Sequence, residues 1–300
     1  MGRCFLDIFQ KIKKWLRDSR SFYCINPPIA VKLPLFTTHV LLIAKNLLKN
    51  IEQHAVHKLY HYRKALASKP YGSRGKNVTR CELCLLAMRY CTCAVRQQLS
   101  SDNTFLLIMY DNEVLKPSNS GRLIADLIPQ THAYIWSRTE VDAQMMALIE
   151  DPDYQPLLIF PSEYAHEGQT VLNELNPVAL AEGKKPLFIL LDGSWRQAIK
   201  MFRKSPYLHQ LPMLSFTPET AAKYGLRKNS KDFQLGTAEV AALALGVSGE
   251  TRNAVSLNAW SELFIQSSIF GRNRINTVDI SPLTLLQNNF TNSLTPLNPD

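Results

Sequence analysis

The chain lacks any run of about 18 apolar residues, so its sequence contains no candidate for a spanning apolar helix. Its most apolar early stretch, LPLFTTHVLLIA (34–45), is short and contains a histidine. The opening MGRCFLDIFQKIKKWLRDSR has charges throughout and no small-residue cleavage pattern. No secretory leader is expected from it, and a cytoplasmic location is the default. Internal repeats and low-complexity tracts are also missing, which argues against a solenoid or a disordered chain. Acidic residues are scarce at one end. Residues 1–80 hold 3 Asp+Glu against 16 Lys+Arg, whereas the other 220 hold 22 against 18. The net charge of +9 therefore resides in the first quarter. Such a segment suits a polyanion, either nucleic acid or an anionic membrane surface, or serves only as a solubilising tail.

The apolar fraction, 46%, is ordinary for a globular protein of 300 residues. Residues 1–67 read as a basic helical extension, amphipathic over 5–17, broken by the NPP of 26–28 and helical again over 37–67. A basic, glycine-containing linker, SKPYGSRGKN (68–77), leads into RCELCLLAMRYCTC. Four of the six cysteines, Cys81, Cys84, Cys91 and Cys93, fall there as C-x2-C-x6-C-x-C. In a chain without a secretion signal, disulfides are disfavoured. Four thiolates so close in sequence suit a tetrahedral structural zinc site closing a knuckle over 68–100, with free thiols and redox chemistry as the alternatives.

From residue 101 to 290 the pattern changes. TFLLIMY (104–110), HAYIWS (132–137), QPLLIFPS (155–162), KPLFILLDG (185–193) and LPMLSF (211–216) read as buried strands. Between and after them, 121–128, 140–150, 195–204 and 237–247 read as helices. The alternation predicts an α/β domain with a mostly parallel sheet and helices on both faces, followed by a tail over 291–300. Ligands of such sheets sit beyond the carboxyl ends of the strands. Those ends lead into DNEVLKPSNSGRL (111–123), FPSEYA (160–165), DGSW (192–195) and TPETAAKYGLRKNS (217–230), which mix carboxylates, hydroxyls and cations. SNSGR runs into a helix start, where free backbone N–H groups favour an anion, and Lys116 and Arg122 add charge; an ordinary Ser/Asn cap is the plainer reading. Arg196, Lys200 and Arg203 share one helix face, with Ile199 and Phe202 on the other. That face suits a phosphate backbone or plain solvent. Trp195 is either a core anchor or a surface on which a base stacks.

LDGSWRQAIKMFRKSPYL, KPSNSGRLIADLIP, WSRTE, YQPLLIFPSEYA, GTAEVAALAL and the cysteine knuckle occur in an order that resembles the DTW-domain family over about residues 58–290. The family's Asp-x-Thr-Trp signature reads Asp192-Gly193-Ser194-Trp195 here, with serine keeping the hydroxyl of threonine. The resemblance implies a SPOUT-like, trefoil-knotted α/β domain. It implies transfer of the 3-amino-3-carboxypropyl group of S-adenosylmethionine to N3 of a uridine in the tRNA variable loop. An RNA methyltransferase of the same fold and a non-catalytic zinc RNA-binding protein are the competing readings. On this resemblance Asp192, with Glu113 as rival, would handle the N3 proton. Pro161, Ser162, Gly193, Ser194, Trp195, Thr237 and Glu239 would line the donor site, with Glu239 a further rival base. Lys116, Ser118, Asn119, Gly121, Arg122, Arg196, Lys200 and Arg203 would contact RNA.

Overall fold

Continuous apolar runs with strand length must be covered on both faces, and that is how they are used. Thr104–Met109 (β1), Thr131–Ile135 (β2), Tyr154–Ile159 (β3), Val171–Leu172 (β4), Lys185–Asp192 (β5) and Met213–Leu214 (β6) form one sheet in the order β2-β1-β5-β3-β6-β4. Every pairing is parallel. This is a computed structural model, describing residues 53–68, 78–174, 183–217, 235–272 and 279–295, all within a compact unit of residues 50–300. The readings made for residues 1–52, for 69–77 of the linker, for most of the loop at 217–230 and for the last five residues lie outside the described ones.

Side chains alternate across the central strands. Leu106 and Ile108 of β1 and Leu187, Ile189 and Leu191 of β5 pack with Met145 and Ile149 of Ala143–Ile149 (α3) and with Ala198, Met201 and Phe202 of Trp195–Arg203 (α4). The opposite parity, including Phe105 and Phe188, whose rings lie 5.6 Å apart, faces Gly121–Leu127 (α2) and Thr237–Val247 (α5). Thr251–Arg272 (α6) and Ser281–Ser293 (α7) stack outside α5. Neighbouring strands β1 and β5 thus send their following helices to opposite faces. The region beyond their carboxyl ends is the topological switch point, where doubly wound sheets bind ligands.

Ala55–Ala65 (α1) packs on β2 and α2. His54 and His57 cap its start reciprocally: each ring Nδ1 accepts the other's backbone N–H at 3.4 Å. Burial holds both imidazoles below their usual pKa, His57 at about 3, so both are neutral. With Nδ1 accepting, His54 donates from Nε2 to Asp126 Oδ1 at 3.1 Å. Asp126 also accepts from Arg96 Nη1 at 3.2 Å and from Trp260 Nε1 at 3.2 Å, joining α1, the segment after the cysteines, α2 and α6. The two histidines and Asp126 lie close enough to hold a metal. Their lone pairs are already engaged by backbone, guanidinium and indole, and the group is a docking joint.

Candidate active site

The end of β5 is the centre of the site. Asp192 pairs with Met109, and its carbonyl accepts the Tyr110 N–H at 2.8 Å, locking the two strand ends together. Its side chain points to the α2/α5 face and is 3% exposed. Asn119 Nδ2 donates to Oδ2 and Thr237 Oγ1 donates to Oδ1, each at 2.6 Å. Gly121 is required beside them, because a Cβ there would lie 2.6 Å from Oδ2. Burial pushes the Asp192 carboxyl up to about 6, against the lowering effect of the two hydrogen bonds. A buried acid with such a pKa, at the end of a central strand, has the properties of a proton-handling group.

The other side of the strand ends is aromatic. Ser194 begins α4, its N–H held by Gln197 Oε1 at 2.8 Å. Trp195 follows at the first helical position and is 39% exposed, so it is a surface platform and not the core anchor that tryptophan more often makes. Its ring stacks on Phe160 (centroids 5.6 Å, 19°), which stacks on the buried Phe202 (5.2 Å, 24°), while Tyr164 meets Trp195 edge-on at 5.6 Å. This ladder of rings roots an exposed indole in the core. Across α4, Tyr110 stacks on Trp136 (5.8 Å, 20°), and the Lys200 ammonium lies 5.7 and 5.8 Å from their centroids, within cation–π range. Gly193 keeps Tyr110 close, since a Cβ there would come within 3.3 Å of Tyr110 Cβ.

Several expected site residues come together here and others do not. Asp192, Gly193, Ser194 and Trp195 follow one another at the end of β5, and Thr237 meets the Asp192 carboxylate. Pro161 and Ser162 stand at the next strand end, where the Ser162 N–H is taken by Ser215 Oγ at 3.0 Å. Glu239 is committed to its own helix start, accepting the Gly236 N–H at 2.6 Å, which removes it as a free base. Glu113 is buried and paired with Lys116. Arg196, Lys200 and Arg203 are exposed, and Ser118 is exposed on the loop after β1. Asn119, Gly121 and Arg122 are not RNA-facing. Asn119 and Gly121 are buried against Asp192, and Arg122, 2% exposed, spans from Leu83 O (3.1 Å) to Val114 O (3.2 Å), tying the knuckle to the loop after β1. Tyr110, Trp136, Phe160 and Tyr164 were missed. A signal was present, because β1, β2 and β3 each run straight into an aromatic residue.

The four cysteine sulfurs lie within 4.8 Å of one another, with Cys81–Cys93 at 3.7 Å and Cys84–Cys91 at 3.8 Å. A regular tetrahedron with zinc–sulfur bonds of about 2.3 Å has sulfur–sulfur edges of about 3.8 Å. The donor set therefore fits a closed zinc site with no open position. Its first turn is tight: Leu85 takes a left-handed φ of 60° while its N–H bonds Cys81 O at 3.0 Å.

The DTW domain profile matches residues 78–269, well over half of the chain and the whole span from the knuckle to α6. The chain belongs to the DTW-domain family. One curated relative, the tRNA-uridine aminocarboxypropyltransferase 2 of Drosophila melanogaster, is 29% identical over 105 residues. The match spans 35% of this chain and 38% of the relative. No solved structure matches. Among the described residues of this DTW protein, no helix is long and apolar enough to cross a membrane.

Proposed function

We propose that this protein modifies tRNA, moving the 3-amino-3-carboxypropyl group of S-adenosylmethionine to N3 of a uridine in the variable loop and releasing methylthioadenosine. The observation that carries the reading is the buried Asp192 carboxylate at the end of β5, with a raised pKa and two hydrogen bonds, three residues before the exposed Trp195 platform. Uridine N3 carries a proton that must leave as nitrogen attacks. Asp192 is the base that takes up the released charge, directly or through a hydrogen-bonded partner. The donor's sulfur leaves as a neutral thioether, so its departure needs no acid. A base of donor or acceptor stacks on Trp195, whose ring ladder fixes it without a flexible side chain. Pro161, Ser162, Gly193 and Ser194 border the donor. Ser118, Lys116 and the Arg196–Lys200–Arg203 face meet the RNA backbone. The cysteines hold a structural zinc that braces the knuckle. A SPOUT-like knotted scaffold and a cytoplasmic site of action belong to the same reading.

Incubation of the full chain with tRNA and S-adenosylmethionine, followed by mass spectrometry of nucleosides and small products, tests it. The expected result is 3-(3-amino-3-carboxypropyl)uridine together with methylthioadenosine. A methylated nucleoside with S-adenosylhomocysteine would replace it with methyl transfer, and tRNA binding with neither product would leave only an RNA-binding role.

A further inference from the structure

Asp192 is almost closed to solvent, and each of its oxygens already accepts a short hydrogen bond. A bulky uracil has no path to it, because Gly121 fills the approach from α2 so tightly that even a methyl would collide. A proton from the substrate must therefore cross one of the two partners. Asn119 is unsuited. Its amide nitrogen has no basic lone pair, and its Oδ1 accepts the Arg122 N–H at 3.1 Å, which fixes the amide's orientation. Thr237 is suited: a hydroxyl donates and accepts at once, and this residue, first in α5, is only half-buried.

We infer that Thr237 is the residue through which Asp192 acts, its hydroxyl accepting the uridine N3 proton while passing its own proton to Asp192 Oδ1. This rests on the transferase reading above. In the step, the N3–H bond breaks and an O–H bond forms on Thr237. The threonine's original proton moves to the carboxylate. The N3 lone pair forms the bond to the donor's γ-carbon, and the C–S pair goes to sulfur. Solvent takes the proton from Asp192 after product leaves. The charges that act on Asp192 are Glu113 and Lys116 from the loop after β1 and Arg122 from α2, while Glu239 of α5 is turned to the Gly236 N–H. Glu113 raises its proton affinity and Lys116 lowers it.

Two variants and one measurement on the unaltered protein test the relay. Thr237→Val keeps the shape and removes the hydroxyl. Its single-turnover rate under saturating donor and tRNA should fall about 100-fold, the low end of general-base contributions. Thr237→Ser should keep most of the rate. The wild-type rate should drop below about pH 6, where Asp192 is already protonated, and the residual Thr237→Val rate should lose that limb. In mixtures of light and heavy water the wild-type single-turnover rate should bow, since two protons move together. A straight plot would overturn the relay even if the valine variant failed to fold. So would a valine variant within threefold of wild type, or a serine variant as slow as valine. If the wild type forms no aminocarboxypropyluridine at all, the transferase reading falls and the relay with it. If it does, these outcomes judge the relay alone.

Discussion

Gly121 and Asp192 make one joint, and each constrains the other. Gly121→Ala places a methyl 2.6 Å from a carboxylate oxygen that Asn119 and Thr237 hold in place, so the backbone of α2 must retreat. Overpacking of this kind costs about 1–3 kcal/mol. A shift of that size at the carboxylate should lower transfer about 100-fold, read as initial rate under saturating donor and tRNA. Asp192 itself stores instability. Its folded pKa, about 6, lies above the ordinary 3.8, so between those values the folded state holds a proton that the unfolded chain has lost. Stability therefore falls as pH rises through that window and levels off above it, by roughly 3 kcal/mol in total. Asp192→Asn cannot ionise, but it offers only one acceptor to two donors, which costs about 1 kcal/mol at every pH. Denaturant melts of both proteins should show the asparagine variant gaining on wild type from pH 4 to pH 6.5 while losing transfer. Parallel curves would mean that the Asp192 pKa is the same in the folded and unfolded chain.

At the scale of elements, the knuckle is coupled to the site through one side chain. Arg122 reaches Leu83 O on one side and Val114 O on the other, and the loop that holds Val114 also supplies Asn119 to Asp192. On the structural-zinc reading, wild type should carry zinc by elemental analysis and Cys84→Ser should not. The buried guanidinium then loses a fixed acceptor, a penalty of about 1–3 kcal/mol, and the melting temperature should fall by roughly 5–10 °C. The central elements were legible in sequence because their signals are local. The apolar runs at 104–110, 155–162 and 185–193 have no polar alternation, and 195–204 has one apolar and one basic face. Strand β4 was not legible, since two residues have no period. Nor was α6: buried Ala254, Leu257, Trp260, Leu263 and Phe264 share it with exposed Val255, Ile265 and Ile269, which blurs any single stripe. Within the site, the acid and the tryptophan were legible, but their neighbours were not. That Asn119 serves Asp192 and Arg122 serves the knuckle depends on contacts 73 and 39 residues apart in the chain.

At the scale of the whole molecule, the question under the proposed tRNA reading is where the cations for a polyanion lie. The excess of 13 basic charges over residues 1–80 contrasts with a small acidic excess elsewhere, so under that reading the DTW domain would need local cations to meet the RNA. Helix α4 supplies them: Arg196 and Arg203 are exposed on one face, whereas Ala198, Met201 and Phe202 anchor the other. Lys200 differs, because its ammonium lies against Tyr110 and Trp136, and removing it would also disturb that aromatic wall. Arg196→Gln with Arg203→Gln is therefore the cleaner change. It should leave the melting temperature within a degree or two, since neither side chain is buried. Each lost phosphate contact should flatten the slope of log affinity for tRNA against log salt by about 0.7–0.9, and affinity should drop most at low salt. Donor binding by calorimetry should be unchanged. An unaltered salt slope would move the RNA contact away from α4 and leave it with the basic first quarter of the chain.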